Sequence, residues 1–255
     1  MKLRLDELTS RWKALRRAGL SVREVACVGA PRTLLLAEAG SASHPAISLS
    51  AGVHGDEPAG SAALLSLVED GLLDERFSYR IWPCTNPTGL EHATRENADG
   101  ADINRSFDRG GRTPEAKAII TANRDRRFAL SLDLHEDLEA TGFYCYEPIG
   151  QQAVAPHMLA ALDAAGLPVQ DLAPEFDLGY PERADHLRTL ERGRVLADFA
   201  AEAKYYPGLP YSLYIGKKAA QRVLTLESPA TRSWSDRVAI HRVAVVAAIT
   251  AILAK

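Results

Sequence analysis

The run Ala46-Ile47-Ser48-Leu49-Ser50-Ala51-Gly52-Val53-His54-Gly55-Asp56-Glu57-Pro58 decides how the rest of the chain is read. Ala46–Ser50 has the short apolar-rich pattern of a strand, and Ala51 to Glu57 forms a glycine-containing loop. Pro58 then opens a helix through Val68, because proline suits a first helical position, where its missing N–H costs nothing. Strand, tight loop and helix follow one another within about two dozen residues, the unit from which parallel sheets are built.

The same alternation recurs on both sides. Upstream, Asp6 to Ala18 carries Leu8, Trp12 and Leu15 as a helical stripe ended by Gly19, and Val22–Val28 and Thr33–Ala37 read as strands. Downstream, Tyr79–Pro83 is a strand, and Thr85 to about Arg112 is a long polar loop without regular structure. A helix from Pro114 to about Asp125 leads into the buried strand Phe128–Leu134, which delivers His135-Glu136-Asp137. A short strand at Gly142–Tyr146 and a helix over Gln151–Ala165 precede an irregular stretch, 168–215, rich in Pro, Gly and Tyr. Val223–Leu226 is a strand ending at Glu227, and Asp236–Ala254 is an amphipathic closing helix. There is no internal repeat, low-complexity tract or linker. The expectation is an α/β fold: one metal-dependent hydrolase domain over residues 1–255, with a mixed, mainly parallel twisted sheet flanked by helices on both faces.

Composition narrows the function. At 255 residues and 46% hydrophobic, the chain can bury a core that needs neither disulfide nor structural metal. A net charge of -3 argues against nucleic acid or an anionic membrane as partner. Cys27, Cys84 and Cys145 are far apart, odd in number and outside any CxxC spacing, as expected of buried thiols in a reducing compartment. The charged N-terminal stretch lacks the apolar centre of a signal peptide, and Val243–Ala254 is too short to span a bilayer. A cytoplasmic protein is the expectation.

Open α/β sheets bind ligands at the carboxyl ends of their strands, and His54/Glu57, His135 and Glu227 each follow a strand. A catalytic zinc takes three protein ligands of imidazole and carboxylate type and leaves a position open. His54 and Glu57, three apart in a tight turn that Gly55 relieves, can face one point. Alone, that pair fits a satisfied loop histidine beside a solvated glutamate equally well. His135, which standing alone fits a hydrogen-bonded histidine at a sheet edge, is a natural third ligand beside that pair, and Asp133 on the same strand face suits its support. Glu136 and Asp137 read as exposed or supporting, and His44, His92, His157, His186 and His241 lack comparable settings. Glu227 is the carboxylate that can take a proton from a metal-activated water and return it to a leaving amine. In the polar loop, Arg95 suits the oxyanion of a tetrahedral intermediate. Arg105 with Asn104 suits a substrate carboxylate, which a guanidinium holds through two parallel charge-assisted bonds.

With these residues assembled, the chain resembles the zinc carboxypeptidase family, including its bacterial murein-peptide amidases and its deacylase cousins, aspartoacylase and succinylglutamate desuccinylase. The resemblance rests on His54-Gly55-Asp56-Glu57, Asn86-Pro87-Thr88-Gly89, Arg95, Asp102-Ile103-Asn104-Arg105, Asp133-Leu134-His135 and Thr225-Leu226-Glu227, in that order over residues 54–227. It implies one Zn2+ per chain on His54, Glu57 and His135. It also implies Arg95 as oxyanion stabiliser, Asn104 and Arg105 as carboxylate clamp, Glu227 as general base, and a phosphorylase/hydrolase-like sheet. The segment Glu136-Asp137-Leu138-Glu139 departs from the digestive enzymes. Their mobile tyrosine has only positional candidates, Tyr205, Tyr206, Tyr211 and Tyr214.

The substrate implied is a small peptide or acyl amino acid with a free carboxylate. Peptidase or peptide amidase leads, deacylase is the alternative, and Gly89 leans towards the peptidase side. Specificity is expected in 168–215 and Gly142–Pro148. A non-catalytic metal-binding protein is the third reading, against which stand Glu227 and Arg95, since neither is needed merely to hold zinc. A P-loop is excluded because Ser61 stands where the phosphate-binding lysine belongs, and no GxSxG or GxGxxG is present.

Overall fold

The computed structural model describes residues 3–172 and 188–253. In chain order these form α1 (Leu5–Ala14), β1 (Ser21–Val25), β2 (Leu34–Ala39), β3 (Ala46–Ala51), α2 (Ala59–Glu69), β4 (Ser78–Trp82), α3 (Pro87–His92) and α4 (Pro114–Ala122). There follow β5 (Leu130–Asp137), β6 (Tyr144–Pro148), α5 (Ala155–Ala164), β7 (Arg188–Glu191), β8 (Arg194–Ala197), α6 (Phe199–Glu202), α7 (Tyr211–Lys218), β9 (Val223–Pro229) and α8 (Trp234–Ala251).

One sheet carries every named strand, in the order β1-β2-β4-β3-β5-β9-β6-β8-β7. Its centre, β4-β3-β5-β9, is parallel, and antiparallel pairs β1–β2, β2–β4, β9–β6 and β8–β7 surround it. Strands buried on both faces lose the polar alternation of a one-sided sheet, and β2 shows why. Leu35 and Ala37 join the core beneath α2, α5 and α8, while Leu34 and Leu36 join a second core beneath α4 and α7. Successive side chains point to opposite faces, so an unbroken apolar run fills both layers. Each fully buried leucine there contributes about 2 kcal/mol of transfer free energy.

The expected mixed sheet between helical layers is present, with several shifted boundaries. β5 and β9 run past their apolar runs: the ladder continues through His135↔Glu227, Glu136↔Ser228 and Asp137↔Pro229. Mutual pairing satisfies these backbones, so polar side chains do not end the strands. The loop expected to be structureless holds α3 and a 3-10 turn at Ile103–Arg105. The helix expected from Gln151 starts at Ala155, where the buried Glu147 carboxylate accepts from Val154 N at 2.6 Å. In the irregular stretch, β7, β8, α6 and the start of α7 are ordered, and 173–187 lie outside the described residues. β7 is the edge strand and β8 its inner neighbour; each is four residues long and begins with an arginine, which hides them from an apolar-run criterion. All three cysteines are buried and unpaired. No described helix is long and apolar enough to cross a membrane.

His241, on α8, is fully buried, and burial drives its imidazole down to about 3, with the neighbouring charge of His135 acting in the same direction. The folded chain therefore refuses a proton that the unfolded chain accepts below about pH 6.5. Stability is full above that value and falls towards pH 3, by up to about 1.4 kcal/mol per pH unit for this group. In urea titrations, His241→Leu is expected to flatten the pH dependence of the unfolding free energy between about pH 4 and 6 by one proton equivalent. An unchanged slope assigns the dependence elsewhere.

Candidate metal centre

The turn after β3 is shaped by two different glycine requirements. Gly52 takes φ +63°, a conformation that side chains disfavour. Gly55 has no such angle; its need is space, since a Cβ there would stand 1.8 Å from the carbonyl carbon of Gly89 and 2.2 Å from Leu90 N. The His54 loop thus lies directly on the backbone of α3. Asn86 caps that helix by accepting from Gly89 N at 2.9 Å, and its amide donates to Arg95 O at 3.0 Å. The Asn86-Pro87-Thr88-Gly89 motif therefore fastens both the His54 turn and the Arg95 main chain.

His54, Glu57 and His135 are all buried, and one potential ligand atom from each lies within 4.8 Å of the others. His54 Nδ1 is 2.6 Å from Glu57 Oε1, and His135 Nδ1 is 2.9 Å from Glu57 Oε2. The far nitrogens face carboxylates: His135 Nε2 is 3.1 Å from Asp133 Oδ2, and His54 Nε2 is 3.4 Å from Asp102 Oδ1. Ser50 Oγ in turn donates to Asp133 Oδ1 at 2.6 Å. An imidazole whose Nε2–H is held by a carboxylate, as that of His135 is by Asp133, keeps its Nδ1 lone pair for a cation, so this donor set fits a divalent metal of zinc type. Asp133 is placed as expected. Asp102 in its second-layer position was not anticipated, although its side chain, accepting from Asn104 N at 2.8 Å, marks a turn readable in the sequence.

Charge is balanced locally because the ligand side chains are buried. Burial opposes the charged form of both imidazoles, yet Glu57 with Asp102 raises His54, and Asp133 with Glu57 raises His135 well above the usual histidine range. Burial likewise works against the Glu57 anion, and the two histidines overcome it, holding the carboxyl far below its ordinary value. Glu136, expected to be exposed or supporting, is buried; burial pushes its carboxyl up to about 7 against the favourable pull of Ala59 N and Arg237. Asp137 is half-buried and accepts from the Tyr144 hydroxyl at 2.6 Å.

A cavity of about 330 Å3 opens beside the triad. Glu227, Arg95, Asn104 and Arg105 all line it, so the fold gathers these four with His54, Glu57 and His135. Arg95 bridges the triad and Asp102, with Nη1 3.2 Å from His54 Nδ1 and Nη2 donating to Asp102 Oδ2 at 3.1 Å. Asn104 Oδ1 accepts from Tyr211 N at 2.9 Å. The Arg105 guanidinium lies 5.2 Å from the ring centre of Tyr206. Glu227 sits directly opposite His135 in the β5–β9 ladder. Its carboxyl is raised well above the usual range by burial, which His135 opposes and Glu57 and Asp137 reinforce.

Of the positional tyrosine candidates, Tyr206 reaches the cavity. Tyr211 is a core residue hydrogen-bonded to Ser48 Oγ at 3.1 Å, Tyr214 stacks on Phe107, and Tyr205 is not among the lining residues. Tyr144 and Tyr146 line the wall beside Glu227 and were not picked out; their signal was period-two spacing on the Gly142–Tyr146 strand. His44, His92, His157 and His241 stay outside the cluster, and His186 lies outside the described residues.

Comparison with known proteins gives the family and the fold. The profile of the succinylglutamate desuccinylase/aspartoacylase catalytic domain matches residues 43–173, which include all three candidate metal ligands. Carboxypeptidase SOL1 of Arabidopsis thaliana is 38% identical over 111 residues, a match covering 36% of this chain and 23% of the relative's length. Among solved structures, a candidate metallopeptidase of Shewanella amazonensis superposes with a TM-score of 0.74 at 21% identity, over 97% of this chain and 91% of its own. A metallo-carboxypeptidase of Burkholderia cenocepacia follows at 0.69 and 18% identity, over 97% of this chain and 68% of its own. At such identities the structural likeness concerns the fold.

The backbone approach at Gly55 has a direct consequence. Gly55→Ala must displace main chain rather than a flexible side chain, so it is expected to cost about 1–3 kcal/mol in chemical denaturation. A variant as stable as the parent would show that α3 does not hold the loop this closely.

Proposed function

The chain belongs to the succinylglutamate desuccinylase/aspartoacylase catalytic-domain family, and from that premise we propose that it is a zinc-dependent hydrolase cleaving an amide bond next to a carboxylate-bearing residue. One observation carries the reading. The His54–Glu57–His135 cluster, the Glu227 carboxylate and the Arg95, Asn104 and Arg105 side chains share one cavity. His54, Glu57 and His135 are the residues that hold one metal ion per chain. When bound, it supplies Lewis-acid polarisation of the scissile carbonyl and acidifies water at neutral pH.

The chain's own groups do the rest. Arg105 and the Asn104 amide nitrogen receive the substrate carboxylate, Asn104 Oδ1 being committed to Tyr211 N. This orients the neighbouring amide towards Arg95, whose guanidinium stabilises charge developing on the carbonyl oxygen. The Glu227 carboxylate accepts the proton of the attacking water and passes it to the leaving nitrogen. Its burial makes it a stronger base than a solvated glutamate.

Peptide cleavage is the leading activity, favoured by the 38% identity to a carboxypeptidase. Deacylation of an N-acyl amino acid is the second reading, favoured by the family profile. Gly89 does not decide between them: its surroundings are Asn86 and the backbone of Thr94, it is pressed against Gly55, and it does not line the cavity.

Two variants and one panel test the proposal. Glu227→Gln is expected to keep one zinc per chain while losing about 10²–10⁴ in kcat. Full activity in that variant would remove the general base from the mechanism. His135→Ala is expected to lose stoichiometric zinc, and retention of the metal with activity would sink the ligand assignment. The zinc-loaded chain screened against C-terminal peptides and N-acyl amino acids is expected to release amino acid from peptides. Turnover of acyl amino acids alone selects the deacylase.

A further inference from the structure

Glu136 stands next to the third candidate ligand, in the acidic segment Glu136-Asp137-Leu138-Glu139. Its side chain is fully buried, an expensive position for a carboxylate unless every oxygen finds a partner. Oε1 accepts from Ala59 N at 2.7 Å, and Oε2 pairs with the Arg237 guanidinium from α8. Its own backbone N–H donates to Glu57 Oε2 at 3.0 Å. The two chain segments are thus laced reciprocally: the Glu136 peptide holds the side chain of residue 57, and the Glu136 side chain holds the peptide of residue 59.

α2 needs that second bond. It starts at Ala59, its preceding Pro58 makes no side-chain cap, and its first turn contains no acid. The carboxylate that an N-terminus favours arrives from β5 instead. Arg237 is anchored in turn, its guanidinium 5.5 Å from the Trp234 ring centre. The chain of contacts therefore runs from α8 through Glu136 to Glu57, whose Oε2 also faces His135 Nδ1. Glu57 rotating about its own side chain would break the Glu136 N–H contact, so fixing that peptide fixes the carboxylate.

We infer that Glu136, braced by Arg237, is a positioning residue that presents the Glu57 carboxylate to the metal. The inference rests on the reading of His54, Glu57 and His135 as metal ligands. Outer partners of this kind typically set metal affinity by about 10–100-fold.

The test uses the full chain stripped of metal, as wild type, Glu136→Gln, Glu136→Ala and Arg237→Gln. Each is titrated with zinc against a competing chelator, and the apo melting temperature is recorded in parallel. Glu136→Ala is expected to weaken zinc by about 10–100-fold. Arg237→Gln weakens it by less. Glu136→Gln, which keeps an acceptor for Ala59 N, recovers most of the loss. Zinc affinity within about twofold of wild type in Glu136→Ala, with a lowered melting temperature, would make Glu136 a stabilising strut and overturn the inference. Where Glu136→Ala does not fold, Arg237→Gln decides by the same criterion. A wild-type chain that binds no zinc defeats the metal reading itself, a result distinct from equal affinity in all four chains.

Discussion

The parallel pairing of β5 with β3 on one side and β9 on the other places three strand termini at one edge of the sheet. Everything at the candidate site hangs from that edge. β3 releases the His54–Glu57 turn, β5 carries Asp133, His135 and Glu136, and β9 carries Glu227 opposite His135. Parallel strands demand helical crossovers, and those crossovers bury both faces of the sheet. The site is consequently framed by strands that cannot slide, because a one-residue slip would turn the apolar set of each strand to the wrong layer.

Such rigidity permits a concentration of charge that would be untenable elsewhere. Three carboxylates, Glu57, Asp133 and Glu136, are buried within a few residues of two buried histidines. Each is matched: Glu57 by the two imidazoles, Asp133 by Ser50 and His135, Glu136 by Ala59 N and Arg237. A buried charge deprived of its partner costs several kcal/mol, so the network is stable only as a whole. Its partners come from β3, α2, β5 and α8, which ties the integrity of the site to the packing of the entire α2/α8 layer.

Glu136 also shows how local sequence can mislead. Followed by Asp137-Leu138-Glu139, it looks like part of a solvated acidic turn, and Leu138 is indeed 66% exposed. Glu136 is buried because β5 continues through it and α8 brings a cation from a hundred residues away. Nothing in the spacing of residues 133–139 could report that arrival. The same limitation applies to β7 and β8, four-residue strands at and next to the sheet edge, and to Tyr144, whose place beside the site comes from lying opposite Glu227.

What the sequence determined by itself was the alternation of apolar strands with helices, and the polar residues standing where those strands run out. Hydrophobic period and strand-end position are local properties, and they sufficed for the α/β sheet and for singling out His54, Glu57, His135 and Glu227; Arg95, Asn104 and Arg105 were legible only as polar-loop residues and through the family resemblance. The tertiary structure alone decided which carboxylate backs each histidine and why Gly55 and Gly89 must be glycine. It alone showed that the polar loop from Thr85 opens with a capped helix rather than free chain. These depend on the contact of segments distant in the chain, and contact between distant segments is set by packing, which no local pattern encodes.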